Sequence, residues 1–229
     1  EELNILNIAI TSVQSQLVMY MQNEYLTYMS SIDQLSQLKN RRALDEFIEL
    51  EDKKLRRYNS KKLTREESVC FVDLDNFKFY NDNYGHEAGD LLIAGFAAML
   101  KKVFREVDFI GRFGGDEFIV ILPETNCKDA KKICSRLYKA LENKNFFLDE
   151  LEDLIGSKVN VEPENRLGFS AGISSNFDAE EYFNLSEVLN KADHALYYSK
   201  QNGKGKASIW SEIKDFLTEE SNSDMHKGC

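Results

Sequence analysis

Apolar residues fall at Leu3, Leu6, Ile10, Val13 and Leu17 in alternating steps of three and four, pass through Met21 and Tyr25 by two steps of four, and resume at Tyr28 and Ile32. That spacing lays a narrow stripe along one side of a helix, the seam of a two-stranded coil, and the paired steps of four are a stutter in it. A single amphipathic helix docked on its own domain would use the same spacing. The polar residues flanking the stripe leave little else to bury and favour the paired coil, hence a homodimer through the N-terminal helix. Residues 3–23 carry no charge, but nine of these 21 are Asn, Gln, Ser or Thr, which is too polar for insertion into a membrane.

Farther along, a helical period continues from Ile32 to about Tyr58, and the Lys-rich stretch from Asn59 to Glu67 reads as a loop. The run Ser68 to Leu74 has the length and composition of a strand. A helix is predicted from about Glu87 to Arg105. A hairpin follows, pairing Asp108–Phe113 with Glu117–Leu122 around Gly114-Gly115. Further helices are expected over about Cys127–Leu141 and Leu185–Gln201, with strands near Gly168–Ser174 and Ala207–Trp210. Between Asn145 and Arg166 the pattern assigns neither helix nor strand, and the polar residues from about Thr218 to Cys229 are expected to be disordered. Helices and strands alternate irregularly, so the predicted fold class is α+β, an α/β sandwich with a mixed, largely antiparallel sheet flanked by helices.

Composition narrows the function. A chain of 229 residues with 42% apolar content can bury a proper core. A net charge of −10 excludes a nucleic-acid reader that works through a broad basic surface, so any phosphate ligand must be met locally by a metal or a few cations. The four cysteines, Cys70, Cys127, Cys134 and Cys229, form no C-x-x-C pair and read as reduced thiols of a cytoplasmic protein. No signal-peptide pattern opens the chain, which starts inside a helical pattern, so further sequence upstream is expected.

Two acidic pairs carry the candidate chemistry. Asp73 and Asp75 end an apolar strand, and their i, i+2 spacing directs both carboxylates to one side. Asp116-Glu117 follow the diglycine of the hairpin, where the backbone can approach a ligand closely. Carboxylates so placed suit Mg²⁺, which takes oxygen ligands together with substrate phosphates, and two such strand ends meeting across a sheet would make a two-metal phosphoryl-transfer site. Solvated strand ends would carry the same residues without function.

The run Arg112-Phe-Gly-Gly-Asp-Glu-Phe118 resembles the signature of the GGDEF family of diguanylate cyclases, bacterial signal-transduction enzymes. The run from Phe71 through Val-Asp-Leu-Asp-Asn-Phe-Lys-Phe-Tyr-Asn-Asp-Asn-Tyr-Gly-His-Glu-Ala-Gly to Asp90 resembles the family's metal and guanine segment. Ala192-Asp-His-Ala-Leu-Tyr-Tyr-Ser-Lys-Gln-Asn-Gly-Lys204 is similar to its closing helix and turn, and Asp33 to Arg42 to its opening segment. The matches run in family order from about residue 33 to 210. The resemblance implies a palm-like nucleotidyl-cyclase domain over 33–210, preceded by a coiled-coil helix over 1–32 and followed by a tail over 211–229.

It also implies roles. Asp73, the backbone carbonyl of Leu74, Asp116 and Glu117 would hold two Mg²⁺ (or Mn²⁺) ions, with Asp116 the candidate base. Lys78, Lys200 and Lys204 would meet the triphosphate of GTP. Phe77, Asn81, His86, Asp90, Gly114 and Gly115 would line the substrate site, Asn81 and Asp90 reading the guanine edge. A buried carboxylate that accepts from guanine discriminates against adenine, because the wrong base leaves it unpaired. Arg105-Glu-Val-Asp108 resembles the family's product-inhibition motif, with Arg136 as a further arginine of that site, where guanidinium groups suit guanine edges and phosphates. Lys200 and Lys204 could instead complement a helix C-terminus, Asp75 could hold structure, His86 could cap the turn at Gly85, and His194 and Cys134 read as ordinary helix residues.

The resemblance thus implies a Mg²⁺-dependent homodimer condensing two GTP into cyclic di-GMP. The rival is an inactive domain that binds GTP or cyclic di-GMP as a receptor. The sequence departs from the family pattern at Ser36-Gln37, at Gly203-Lys204-Gly205, around Phe169-Ser-Ala-Gly-Ile and in a longer connection from Asn145 to Arg166. None of these removes an acidic residue of the signature.

Overall fold

The computed structural model describes residues 2–60, 65–142, 146–178, 181–182 and 184–216. The chain divides into two units, one ending at Ile32 and the other beginning at Asp33. The first is a single helix, α1 (Glu2–Ser31). Of the predicted seam, Ile10, Val13, Leu17, Met21 and Tyr25 are exposed, and so are Val18, Met19, Tyr20 and Leu26, so apolar surface extends beyond one narrow stripe. The side chains of Leu3, Leu6 and Tyr28 lie outside the described residues. Among the described residues no helix is long and apolar enough to cross a membrane.

The second unit runs α2 (Arg41–Ser60), β1 (Glu67–Asp75), α3 (Phe77–Tyr84), α4 (His86–Val103), β2 (Phe109–Gly114), β3 (Glu117–Pro123), α5 (Cys127–Glu142), α6 (Phe146–Ile155), β4 (Gly168–Ser175), a small hairpin of β5 (Phe177–Asp178) and β6 (Glu181–Tyr182), α7 (Leu185–Gln201) and β7 (Ala207–Ile209). Residues 210–216 are again helical. The main sheet has the order β2-β3-β1-β4-β7. β1 is antiparallel to both neighbours and β7 alone joins in parallel. This is the mixed, largely antiparallel α+β sandwich expected.

Strand alternation sorts the core into two layers. Cys70, Val72 and Leu74 of β1 face Phe96 and Leu100 of α4 and Cys134 and Leu137 of α5. Val69 and Phe71 face Leu44 and Ile48 of α2 and Leu185, Val188 and Leu196 of α7. Asp73 and Asp75 continue the second set, so both carboxylates emerge on the α7 side. Cys70, Cys127 and Cys134 are buried.

Helix α7 comes unusually close to β4. A Cβ built on Gly172 would lie 1.9 Å from the Ala192 carbonyl oxygen and 2.1 Å from the Leu196 nitrogen. The absent side chain lets the helix backbone rest on the strand. A reciprocal cap starts α7: the Asn184 side chain accepts from Glu187 N at 3.0 Å while Glu187 accepts from Asn184 N.

Three expectations need correction. The helical pattern from Ile32 to Tyr58 is interrupted over 33–40, because Asp33 accepts from the Ser36 N–H and hydroxyl at 2.8 and 2.7 Å and turns the chain, with Gln37 at φ 55°. Lys39 then bridges to the β2 edge. Leu35 and Leu38 mimic a helical period because both pack on the core. The second correction is α3, a helix inside the run read only for chemistry; the reversal at Gly85 (φ 86°) separates it from α4. In the third, the unassigned connection contains α6 and a 3₁₀ turn at Pro163–Asn165. The expected disordered tail falls on residues 217–229, outside the described residues.

Two outcomes follow. Gly172→Ala should destabilise the domain by roughly 3 kcal/mol, the upper end of overpacking costs, in urea unfolding, because backbone rather than a flexible side chain blocks the new methyl. Glu67, fully buried beside Glu51, has its carboxyl pushed up to about 8, chiefly by burial and then by Glu51, with Arg65 opposing. A carboxyl that holds its proton more tightly when folded contributes stability fully below its ordinary value of 4.5 and loses it as pH rises through about 8. Glu67→Gln should therefore show a smaller fall in unfolding free energy between those two pH values than the parent protein.

Candidate functional site

The register of the sheet assembles the acidic site. Asp73 of β1 lies opposite Glu117 of β3 and Ser170 of β4. The reversal between β2 and β3 is made by Gly115 at φ 49°, and the Asp116 carbonyl accepts from Leu74 N at 3.2 Å. The two acidic pairs, 43 residues apart when counted from Asp73 to Asp116, are thereby joined at one sheet edge. A Cβ on Gly114 or Gly115 would meet nothing within 4 Å, so this turn is open to a ligand.

Electrostatics at this edge are unfavourable for the clustered carboxylates. Asp73 is 5% exposed, and its carboxyl is pushed up to about 6 by burial and by the charges of Asp116 and Glu117, with Lys200 opposing. Burial also raises Glu117, and Asp116 adds to it. Lys200, from the last turn of α7, places Nζ 2.5 Å from Asp73 Oδ2. Asp73 Oδ1 is buried with no hydrogen-bond partner. A buried acceptor left unpaired is costly, and a cation is the species that would relieve it together with the mutual repulsion. Among the described residues no group of three or more His, Cys, Asp or Glu could hold an ion alone. That suits Mg²⁺, which draws on one or two carboxylates plus substrate phosphates and water.

Asp75 takes a different part. It accepts from the Ser170 hydroxyl at 2.9 and 3.0 Å and from Gly205 N at 2.9 Å, so it anchors the turn after α7. That turn carries Lys204 (φ 56°), whose Nζ donates to Asn76 Oδ1 at 3.3 Å.

The other expected substrate residues lie on α3 and α4. Lys78 is exposed in the first turn of α3, directly after β1. Phe77 and Asn81 both pack on Gly89, where a Cβ would fall 2.0 Å from Asn81 Oδ1. Asp90, next to Gly89, is exposed, as is His86 at the head of α4. The expected inhibitory residues are not brought to the acidic edge. Arg105 N donates to Asp108 Oδ2 at 2.7 Å, which closes the turn before β2. Burial raises the Asp108 carboxyl, and its Oδ1 is buried without a partner. Arg136 is exposed on α5.

Two residues shape the site that the sequence did not single out. Arg112 donates from Nε and Nη2 to the Gly115 carbonyl at 2.9 and 2.8 Å, and from Nη1 to Asp33 at 3.1 Å. Burial tends to raise Asp33, but hydrogen bonds from Ser36 and Arg112 outweigh it and hold that carboxyl below its ordinary value. Asn76, left-handed at φ 64°, donates from its amide to the carbonyls of Glu164 and Arg166, both at 2.9 Å. Its left-handed backbone suits Asn, a weak local signal; the partners of both residues are far away in sequence and left none.

Comparison with known proteins agrees with this geometry. The family model described as the GGDEF domain of diguanylate cyclases matches residues 30–206. Diguanylate cyclase A of Treponema denticola is 38% identical over 143 residues, covering 62% of this chain and 34% of that protein. The probable diguanylate cyclase DgcE of Escherichia coli is 32% identical over 185 residues, covering 81% of this chain and 15% of that protein. The chain thus spans about a third or less of these relatives. Among solved structures, Pseudomonas aeruginosa diguanylate cyclase SiaD, in complex with its activator SiaC, matches with a TM-score of 0.68 and 27% identity over 90% of this chain and 72% of that one.

Arg112→Ala should cost about 1–3 kcal/mol of stability, measured by urea unfolding, because it strips the diglycine turn and Asp33 of a shared donor. Arg112→Lys should recover only part of this, since an ammonium cannot reproduce the planar fork. Stability equal to that of the parent in both variants would show that the turn holds without the clamp.

Proposed function

The chain belongs to the GGDEF domain family, and from that premise we propose that it is a diguanylate cyclase, condensing two GTP into cyclic di-GMP with release of two pyrophosphates. The observation that carries this is the meeting of Asp73, Asp116 and Glu117 at one sheet edge, with the Asp73 and Glu117 carboxyls raised and one buried Asp73 oxygen unpartnered. These residues and the Leu74 carbonyl would hold Mg²⁺ or Mn²⁺, two ions per site. When bound, the ions offset the charge that develops as a 3′-hydroxyl attacks an α-phosphate.

The chain's own residues would do the rest. Asp116 accepts the proton of the attacking hydroxyl. Lys78 and Lys204 meet the triphosphate, and Lys200, which is paired with Asp73, stands within the same site as a third cation for it. Asn81 and Asp90 read the guanine edge beside Phe77 and His86, and the bare Gly114-Gly115 turn lets the substrate approach the backbone. One domain holds one GTP while the product needs two reciprocal bonds, so two domains must face each other about a two-fold axis. The exposed apolar side of α1 supports pairing through that helix. We assign Arg105, Asp108 and Arg136 to a product-inhibition site, and the cytoplasm, where GTP is available, as the location.

Purified chain incubated with GTP and Mg²⁺ should yield cyclic di-GMP. Asp116→Ala should abolish the product while leaving the unfolding midpoint nearly unchanged, since that side chain sits on a turn. Parent protein that binds GTP but releases no pyrophosphate would favour the receptor reading, and parent-like turnover by the variant would sink the site assignment.

A further inference from the structure

A cavity of about 580 Å³ opens among α3, the end of α5, α6, residues 159–161 and the start of β4. None of the residues assigned above to metal, GTP or product lines it. Its size lies within the usual range of small-molecule sites. Leu141, Leu148 and Val159 give it an apolar wall. The Tyr138 ring is stacked flat on Phe169, with centroids 3.9 Å apart, and its hydroxyl is buried with no hydrogen-bond partner. Burial raises that phenol well above its ordinary value, so it stays a donor. Arg166, the only cation among the described lining residues, is exposed.

We propose that this cavity binds a small amphipathic carboxylate, with its apolar body on the Leu141, Leu148 and Val159 wall and its acid paired with Arg166. One cation and one carboxylate, Arg166 and Glu142, among the described lining residues disfavour a polyphosphate. The wall is also wired to the acidic edge. Asn76 holds the Glu164 and Arg166 carbonyls with its amide and Lys204 Nζ with its oxygen, while Gly205, in the cavity wall, is bonded to Asp75. An occupant that stiffens this wall holds Lys204 at Asn76 and away from the triphosphate, so occupancy lowers GTP affinity. This coupling rests on the role given to Lys204 in the cyclase reading; the binding itself does not.

Calorimetry with 4-phenylbutyrate tests the pocket. Parent protein and Asp116→Ala should each bind one equivalent at millimolar concentration or below. Arg166→Ala, a change on an exposed side chain, should weaken binding roughly tenfold through loss of a charged pair, whereas Tyr138→Phe, which removes a buried hydroxyl that the acid does not meet, should leave it unchanged. No saturable binding to the parent, or parent-like binding by Arg166→Ala, overturns the site. Saturating 4-phenylbutyrate should raise the KM for GTP several-fold in the parent and not in Asn76→Gly, which keeps the left-handed backbone and loses the amide. An unchanged KM in a parent that turns over and binds the acid refutes the coupling. Turnover failing while binding persists would count against the cyclase reading alone.

Discussion

A helix approaches a sheet only as closely as the intervening side chains permit, and toward α7 β4 presents Ser170, Gly172 and Ser174. Because Gly172 has no side chain, the backbone of α7 lies on the strand. The consequences run outward from this contact. Ser199 reaches the Ala171 carbonyl at 2.8 Å and the Ser208 hydroxyl at 2.7 Å, which fixes the C-terminal turn of α7 against both β4 and β7. The next residue, Lys200, is thereby delivered to Asp73. The glycine-rich turn beyond it is drawn back to Asp75 through Gly205. The separation between helix and sheet thus sets where the cations of the site can stand.

That placement bears on a charge imbalance that the fold itself creates. Pairing β1 with β3 puts Asp73 opposite Glu117 and leaves Asp116 beside them, on a protein already at net −10. Burial makes the repulsion stronger than it would be in water. Lys200 opposes it, but burial above all, with the charges of Asp116 and Glu117, keeps the Asp73 carboxyl raised despite that contact. The edge is consequently less stable than a neutral one would be, and a cation held there would relieve the imbalance.

Much of this was legible in the sequence because it rests on local signals. The 3.6-residue period of α7, the hairpin around Gly114-Gly115 and the apolar run of β1 each carry their own evidence within a few residues. The interruption at 33–40 was not legible, since Leu35 and Leu38 satisfy a helical period while serving the core from a turn. Helix α3 was hidden because its residues were read for ligand chemistry. Arg112 and Asn76 were missed as structural hubs because what they do depends on partners 79 and 90 residues away, Asp33 and Arg166.

Asp73 and Asp75 show why spacing alone could not assign roles. Both leave β1 on the same side, and strand alternation makes them equivalent in sequence. The difference lies in what meets each carboxylate. Asp75 receives two partners, the Ser170 hydroxyl and the Gly205 amide, and both of its oxygens are engaged. Asp73 receives one lysine and keeps an oxygen bare. A carboxylate whose acceptors are satisfied by neutral donors holds structure, whereas one left short of partners in a buried setting is the one that an outside cation would relieve. The two roles follow from the count of available donors, and that count is set by the turn after α7, some 130 residues beyond the strand it completes.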